Sequence, residues 1–229
     1  MGKLSGKRIM VTSGGTREYI DDVRVVTNIS TGALGVKIAE ELFSQGAEVF
    51  FVFTKQSYLP NPTQGMDTTS RLSTFDVVTA QDLMETMESL IKGFNIDAVV
   101  HAAAVSDFTF KREGAVKLSS SSAEDFINYM RDTIIPNPKI IKHIKGWKSD
   151  ILLVGFKFTV GSTYEEQYEA GKKLINGCGA DAVFINDKED MVRSKKHLGH
   201  LLVDDVMHSL EGKPDISRSI VQFLGDRLK

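Results

Sequence analysis

Glycine and hydroxyl residues stand directly behind the first apolar segment of the chain. Ser13-Gly14-Gly15-Thr16 follows the strand-like residues 7–12, and it offers Gly14 and Gly15 for close backbone approach and two hydroxyls for phosphate oxygens. Nucleotide-binding α/β domains handle phosphate at this point, beyond the carboxyl end of the first strand. An ordinary strand-to-helix turn would use the same residue types. The segment matches neither G-x-G-x-x-G nor G-x-x-x-x-G-K-[ST], so the dinucleotide and P-loop fingerprints do not apply.

A second polar cluster, Asn28-Ile29-Ser30-Thr31-Gly32, stands before a predicted helix. The amide of Asn28, the hydroxyl of Ser30 and the free N–H groups of the helix start could converge on a triphosphate. The alternative is structural: Ser30 and Thr31 would cap the helix and Asn28 would form a turn.

The fourth apolar run ends in the small residues of His101-Ala-Ala-Ala-Val-Ser-Asp107. Ala103 and Ala104 allow a flat ring to lie against the backbone, whose N–H and C=O groups can read a base edge. Asp107 follows where a carboxylate could meet Mg²⁺ or a ribose. We interpret His101 as a buried strand histidine rather than a ligand, and the chain has no HxH or HExxH spacing for a catalytic transition metal.

The polar, serine-rich segment 108–122 is too long for a simple connection and predicts a mobile flap. It carries Lys111, Arg112 and Lys117. Charges in loops are usually solvated, but a lysine on a mobile loop could swing over a nucleotide and neutralise charge that develops at phosphorus.

Tyr168 and Lys172 have the Y-x-x-x-K spacing of short-chain dehydrogenases. That alternative lacks the glycine fingerprint, and Gly155 occupies the position where those enzymes carry a serine, about 13 residues upstream. A nicotinamide-dependent reductase therefore stays a competing hypothesis without its main motif.

Apolar runs of strand length alternate with segments of helical period along the chain. This rhythm predicts a three-layer, Rossmann-like α/β fold, with a mostly parallel sheet between helices. We predict one domain over residues 1–229, with a small β excursion and a flap or dimerisation subdomain from 105–135 and 186–205. The predicted strands are RIMVT, EVFFVFT, DAVVHAAAV, DILLVGFKF and DAVFIND, and the predicted helices are Gly35–Gln45, Ala80–Lys92, Pro138–Lys145, Tyr164–Asn176 and Ile216–Leu228.

Composition limits the classes of partner and compartment. The 229 residues carry 28 basic and 30 acidic side chains, a net charge of −2, which predicts no general affinity for nucleic acid or anionic membrane. No apolar run is long enough for a membrane span. Cys178 is the only cysteine, so no internal disulfide can form, and we expect a reducing, cytoplasmic location.

Taken together, the motifs resemble the phosphopantothenate–cysteine ligase family over nearly the whole chain. VTSGGTREYIDDVR resembles the family signature T-[SA]-G-[GP]-T-[RK]-E-x-I-D-x-V-R, and TNISTGALG resembles S-N-x-S-S-G-x-M-G. AAAVSDF, VGFKF and FINDK follow in the family's order. Because the chain begins at the ligase strand, the resemblance suggests a stand-alone, bacterial-type ligase.

The resemblance implies a reaction in two steps. The carboxylate of phosphopantothenate attacks the α-phosphorus of CTP, releasing pyrophosphate, and the amine of L-cysteine then displaces CMP from the acyl-cytidylate. Mg²⁺ is the implied cofactor, ATP is a possible replacement for CTP, and the family pairs into homodimers. A non-catalytic regulatory homologue remains an alternative, which would bind nucleotide or partner without turnover.

Roles follow from the resemblance position by position. Asn28 matches the asparagine that serves turnover of the acyl-nucleotide, and Lys117 matches the first lysine of a flap motif whose second lysine is Ser119 here. The implied nucleotide-binding residues are Gly14, Gly15, Ser30, Ala103, Ala104, Asp107 and the backbone of Phe156, with Asp107 also the candidate Mg²⁺ ligand.

Overall fold

One eight-stranded sheet forms the centre of the molecule. The computed structural model describes residues 2–61, 71–112, 114, 117–118 and 122–228. The strands are β1 (Arg8–Ser13), β2 (Arg17–Tyr19), β3 (Val25–Thr27), β4 (Glu48–Thr54), β5 (Leu72–Val77), β6 (Ala98–His101), β7 (Phe108–Phe110), β8 (Ile134–Pro136), β9 (Leu152–Thr159), β10 (Ala182–Asp187), β11 (Leu198–Val203) and β12 (Val206–Glu211). The helices are α1 (Ala33–Ser44), α2 (Ala80–Phe94), α3 (Ala123–Thr133), α4 (Ile144–Trp147), α5 (Tyr164–Cys178), α6 (Lys188–Ser194) and α7 (Lys213–Arg227), with a 3₁₀ turn at Ile140–Lys142.

The order of the strands places a crevice between β1 and β6. Across the sheet the order is β12-β11-β10-β9-β6-β1-β4-β5, parallel from β10 to β5 and antiparallel in the β10–β11–β12 part. The chain runs outward from β1 to β4 and β5, then returns to the other side of β1 as β6. Loops on the two sides of such a switch point diverge, and ligands of open α/β sheets bind in the resulting crevice.

Two apolar clusters fill the spaces between the sheet and its helices. The central strands are buried on both faces, which explains why they appear in the sequence as nearly continuous apolar runs. Side chains of α1 and α7 pack on one face and those of α2, α4 and α5 on the other. The predicted three-layer α/β class is confirmed.

The predicted elements differ from the observed ones mainly where segments are short. The expected helix over Pro138–Lys145 is instead the 3₁₀ turn followed by α4, and α3 and α6 were not predicted. No helix in the described part of the chain is both long and apolar enough to cross a bilayer.

The two segments expected to form one subdomain lie in different parts of the fold. Within 105–135, β7 pairs with β8, next to the β2–β3 ribbon. Within 186–205, β11 joins the main sheet beside β10. A dimerisation role for either segment stays a prediction, and the flap residues Ser119, Ser120 and Ser121 lie outside the described residues.

The β11–β12 hairpin is tied to helices on both faces of the sheet. Its two turn residues, Asp204 and Asp205, have left-handed backbone conformations (φ 47° and 66°), as a two-residue hairpin turn requires. Asp204 pairs with Arg227 of α7, whereas Asp205 pairs with Lys172 of α5.

Asp187 joins the carboxyl ends of β9 and β10 to the helices that follow them. Its buried carboxylate accepts hydrogen bonds from the hydroxyl of Thr159 and from the backbone N–H groups of Gly161, Ser162 and Glu189. Burial alone would raise the pKa of this carboxyl, but the four hydrogen bonds outweigh burial and lower the pKa to about 2.

Replacing Asp187 with Asn should lower the free energy of unfolding by about 1 to 3 kcal/mol, because an amide leaves buried donors without an acceptor. Since the pKa is lower in the folded state than the ordinary value of 3.8, the carboxylate stabilises the fold above about pH 4. That contribution is lost as the pH falls towards about 2. Urea unfolding at pH 7 and pH 3 measures both effects.

The matched control is Glu189→Gln, because the side chain of Glu189 is exposed and only its backbone N–H contacts Asp187. Equal urea midpoints for D187N and the unaltered protein at pH 7 would refute the assignment.

Candidate active site

The floor of the crevice is a backbone junction between the loop after β1 and the end of β6. Gly15 and Ala104 form an isolated parallel bridge. The N–H of Ala104 donates to the carbonyl oxygen of Gly14 at 2.7 Å, and the N–H of Thr16 donates to the carbonyl oxygen of Ala104 at 3.2 Å. The hydroxyl of Thr16 in turn accepts from the N–H of Ser106 at 2.9 Å. The first and third polar motifs of the sequence therefore form one structural unit.

Both glycines of this loop are required by close packing. Gly14 has φ 89°, and a Cβ added there would overlap the side chains of Ser57 and Thr54. A Cβ at Gly15 would overlap the backbone carbonyl oxygen of Asn28. The space that the glycines leave is thus occupied by the protein's own loops.

Asn28 ties the second polar motif to the same junction. Its side-chain Nδ2 donates to the carbonyl oxygens of Ala104 at 3.2 Å and Val105 at 3.0 Å. The hydroxyl of Thr27 donates to the carbonyl oxygen of Thr16 at 2.8 Å. Asn28 is exposed, so its side-chain amide lies at the surface of the crevice rather than in the core.

Helix α1 starts at this crevice with its first N–H groups uncapped. Gly32 occupies the N-cap position with φ 70° and makes no side-chain cap hydrogen bond, and the first turn contains no acidic residue. The hydroxyl of Ser13 donates to the carbonyl oxygen of Gly32 at 3.0 Å, which holds the helix start against the end of β1. Ser30 lies just before, and its hydroxyl accepts a long hydrogen bond from Gly32 N–H at 3.4 Å. Open N–H groups and the helix dipole together favour an anion here.

A cavity of about 140 Å³ opens beside β6. Strand β9 continues beyond its last pairing with β6, Val100 with Val154, so the β6 side of its later residues faces this opening. The cavity is lined by His101, Ala103, Val105, Ser106, Asp107, Pro138, Lys139, Ile140, Ile141, Phe156 and Leu174. Most of these side chains are apolar, with a few polar groups at the edge, which suits a flat heterocycle.

Asp107 is exposed and forms an ion pair with Lys139. Asn137 holds the same turn, because its N–H donates to the carbonyl oxygen of Asp107 at 2.8 Å and its Nδ2 donates to that of Ser106 at 3.1 Å. The segment that contributes Lys139, Ile140 and Ile141 was missed as part of the site. Its one sequence signal was Asn137-Pro138, a turn signature that carries no chemistry by itself.

Lys117 is exposed, and the backbone of its neighbour Leu118 is held by Asp21 and Arg24. The N–H of Leu118 donates to Asp21 Oδ2 at 3.1 Å, and Arg24 Nη1 donates to the carbonyl oxygen of Leu118 at 3.4 Å. Asp21 is fully buried and also accepts from Arg24 Nη1 at 2.5 Å and from the N–H groups of Val23 and Arg24. Burial would raise the pKa of this carboxyl, but the hydrogen bonds and the Arg24 charge lower it.

His101 is buried at the end of β6, where its Nδ1 lies 2.9 Å from the hydroxyl oxygen of Thr12. Burial lowers the pKa of the imidazole to about 4, so the ring is neutral near pH 7. The interpretation as a buried strand histidine is confirmed, but the ring also lines the cavity.

Other features of the sequence lie away from this crevice. Lys172 of the Y-x-x-x-K pair forms an ion pair with Asp205 at the β11–β12 turn. Tyr168 packs against the apolar cluster between the sheet and helices α2, α4 and α5. A larger cavity, of about 490 Å³, lies near Gln167 and Asp187, whose polar groups hold neighbouring loops together. Within the described ranges no group of three His, Cys, Asp or Glu side chains is arranged to hold a metal ion.

Comparison with known proteins places the chain within one family. Residues 4–226 match the model of the DNA/pantothenate metabolism flavoprotein C-terminal domain. A coenzyme A biosynthesis bifunctional protein CoaBC from Thermococcus kodakarensis is 40% identical over 183 residues, which cover 80% of this chain and 42% of that protein. The homologous protein of Methanocaldococcus jannaschii is matched over 51% of its length, so the chain spans about half the length of these relatives.

Solved structures agree with the fold. The C-terminal domain of a coenzyme A biosynthesis bifunctional protein CoaBC superimposes with a TM-score of 0.74 at 26% identity, covering 100% of this chain and 98% of that one. A Cab2 mutant complexed with phosphopantothenate-cysteine gives a TM-score of 0.76 at 16% identity, over 96% of this chain and 87% of that one, and this likeness concerns the fold alone.

Gly15→Ala should destabilise the protein and displace the loop that carries Asn28, because the new methyl group meets a backbone oxygen that cannot rotate away. Gly93→Ala is the matched control: nothing lies near its Cβ position inside α2, so we expect it to raise the free energy of unfolding by up to about 1 kcal/mol. Thermal unfolding of both variants measures the difference. A G15A variant as stable as the unaltered protein would contradict the packing described here.

Proposed function

The chain belongs to the DNA/pantothenate metabolism flavoprotein C-terminal domain family, and from that premise we propose that it joins phosphopantothenate to L-cysteine after activation by a nucleoside triphosphate. The observation that carries the proposal is the shared crevice. The uncapped start of α1, the glycine loop, the Asn28 amide and the cavity beside Phe156 all open at the switch point of the sheet. The first two favour phosphate and the last favours a base.

The proposed reaction has two displacements. The substrate carboxylate attacks the α-phosphorus of the nucleotide, the bond to the β-phosphate oxygen breaks, and pyrophosphate leaves. The amine of L-cysteine then attacks the acyl carbon, loses a proton, and expels the nucleoside monophosphate to form the amide. Neither step needs a protein nucleophile, because the nucleotide supplies the leaving group. Alignment of the reactants and stabilisation of oxyanions are therefore the main tasks of the protein.

The residues of the crevice have distinct proposed roles. The N–H groups at the start of α1, with Gly14, Gly15 and Ser30, would bind the triphosphate. Asn28 would orient the phosphate and acyl oxygens of the intermediate. Lys117 would supply positive charge from the anchored flap segment.

The structure changes one expected detail, because the backbone N–H groups of Ala103 and Ala104 are already donated. Ala103 N–H bonds the hydroxyl of Thr12 at 3.1 Å, and Ala104 N–H bonds the carbonyl oxygen of Gly14. We therefore propose that these two residues form the floor under the base. Base contacts would then come from their carbonyl side, from the Phe156 strand and from neighbouring side chains.

Magnesium fits the site only as a partner of the nucleotide. Asp107 is the candidate carboxylate, and it is ion-paired with Lys139. Mg²⁺ is commonly held by one or two carboxylates together with substrate phosphates, an arrangement that this residue set allows. Bound in that way, Mg²⁺ would neutralise charge on the phosphates, while Lys139 would hold Asp107 in place.

A second copy of the chain is the proposed partner. Exposed apolar side chains occur on the β2–β3 ribbon, in the loops before and after β3, and on the β7–β8–α3 segment: Val23, Val25, Val26, Ile29, Phe108, Ile127 and Ile134. Exposed apolar residues are common at protein interfaces. We propose that self-association, which the family resemblance implies, buries part of this set.

The first test is pyrophosphate release from the purified protein with phosphopantothenate, L-cysteine, Mg²⁺ and either CTP or ATP. Release that depends on phosphopantothenate supports the ligase, and the faster nucleotide identifies the preferred base, which we expect to be CTP. A folded protein that releases no pyrophosphate with either nucleotide would refute the ligase. NADPH binding would then favour the reductase, whereas nucleotide binding without turnover would favour the regulatory homologue.

Asn28→Asp should slow conversion of the acyl-nucleotide and let it accumulate. A carboxylate cannot donate to the carbonyl oxygens of Ala104 and Val105, and its negative charge repels phosphate. Quenched-flow separation of the intermediate and product measures this, with the exposed Asn176→Asp on α5 as the control for an added charge. Normal turnover of N28D would remove Asn28 from the mechanism.

Lys117→Ala should reduce the rate by roughly 10²-fold, by analogy with the loss of one oxyanion-stabilising donor. The exposed Lys173→Ala on α5 removes the same charge outside the crevice and should leave the rate unchanged. Steady-state kinetics with both variants tests the role. An unaltered rate for K117A would show that the flap cation takes no part.

A further inference from the structure

The hydrogen bonds around Thr12 indicate which nitrogen of His101 carries the proton. The hydroxyl oxygen of Thr12 accepts from the N–H of Ala103 at 3.1 Å, and it lies 2.9 Å from His101 Nδ1. The Thr12 hydroxyl also has a proton to donate. The N–H of Ala103 cannot accept it, and Nδ1 is the one hydrogen-bond acceptor that the described residues place near this hydroxyl. A neutral imidazole that accepts at Nδ1 carries its proton at Nε2.

The Nε2 atom of His101 has no hydrogen-bond partner among the described residues. His101 lines the cavity beside β6, although the residue is 6% exposed. The other polar side chains of the lining are engaged, since Lys139 pairs with Asp107 and the hydroxyl of Ser106 donates to the carbonyl oxygen of Phe108 at 2.8 Å. His101 is thus a directed side-chain donor held by a short chain of hydrogen bonds.

We propose that His101 is a specificity-determining residue that donates its Nε2–H to an acceptor atom on the edge of the nucleobase. The proposal rests on the proposed function, since it assigns the base to this cavity. The other residues that line the cavity favour a heterocycle, because the phenyl ring of Phe156 and the side chains of Ile140, Ile141 and Leu174 provide apolar walls. Because Thr12 fixes the tautomer, the donor needs no rearrangement when the base enters, which favours binding.

Thr12 is then a positioning residue, acting through His101. It lies on β1 and His101 lies opposite it on β6, so the two strands of the switch point jointly orient the donor. The ring is neutral near pH 7 because its pKa is lowered by burial to about 4. It therefore offers one donor without an added charge.

Equilibrium binding of two probes separates base recognition from phosphate recognition. Calorimetric titration with CTP and with inorganic tripolyphosphate, which has no base, is carried out on the unaltered protein, H101Q, H101L and H208L. His101→Leu should weaken CTP binding about tenfold and leave tripolyphosphate binding unchanged, as loss of one hydrogen bond predicts. His101→Gln keeps a donor at the same reach and should bind CTP within about threefold of the unaltered protein.

His208→Leu is the matched control, because His208 is exposed on β12 and should change neither affinity. If H101L lost the same affinity for both probes, or lost no affinity for CTP, the role of His101 would be overturned. The proposal that the protein binds a nucleotide would still stand. Failure of the unaltered protein to bind either probe would refute the proposed function and this inference together.

The proton assignment is tested without any ligand or variant. Nitrogen-15 NMR of the unaltered protein at pH 7 should show His101 as the Nε2–H tautomer. A protonated Nδ1 would overturn the inference even if nucleotide binds, and it would do so even if the leucine variant fails to fold.

Discussion

The backbone of Ala104 is the point on which the crevice depends. Its N–H group bonds Gly14 and its carbonyl oxygen bonds Thr16 and Asn28, so the backbone of one residue joins the loop after β1, the end of β6 and the loop before α1. These segments are far apart in sequence and meet because the strand order places β6 beside β1. A side chain larger than glycine at position 15 would separate them. The geometry of the crevice is therefore a consequence of main-chain bonding more than of any charged side chain.

A separate set of contacts, centred on the carboxylate of Asp21, involves the charged residues near the crevice. This buried carboxylate holds its own turn through Val23 and Arg24, and it also receives the backbone of Leu118 from the segment that carries Lys117. The backbone next to Lys117, the cation proposed to act on the nucleotide, is thus anchored, while the exposed lysine side chain is not used for that anchoring. Leu118 therefore holds the backbone in place, and the adjacent Lys117 presents an exposed side chain.

The sequence allowed the parallel core to be predicted because its strands are buried on both faces and appear as continuous apolar runs. The glycine loop and the Asn28 motif were also recognisable, since each combines special backbone needs with polar groups. Helix α3 was missed although Phe126, Tyr129 and Met130 recur at helical spacing, because the segment that leads into it is polar and serine-rich and was interpreted as a flap, and because the helix has no buried residue. The contribution of Lys139 to the site depends on tertiary contact with Asp107, which no local pattern encodes.

The turn of the β11–β12 hairpin, whose two aspartates form ion pairs with helices, bears on the properties of the sheet edge. Strand β12 is the outermost strand on that side and exposes His208, Ser209 and Glu211. Polar and charged side chains on an edge strand make it a poorer template for the addition of a further strand, and ion pairs join Asp204 and Asp205 at this edge to α7 and α5. We therefore expect the hairpin to disfavour edge-to-edge association of copies at this side of the sheet, where β10 would otherwise be the outermost strand.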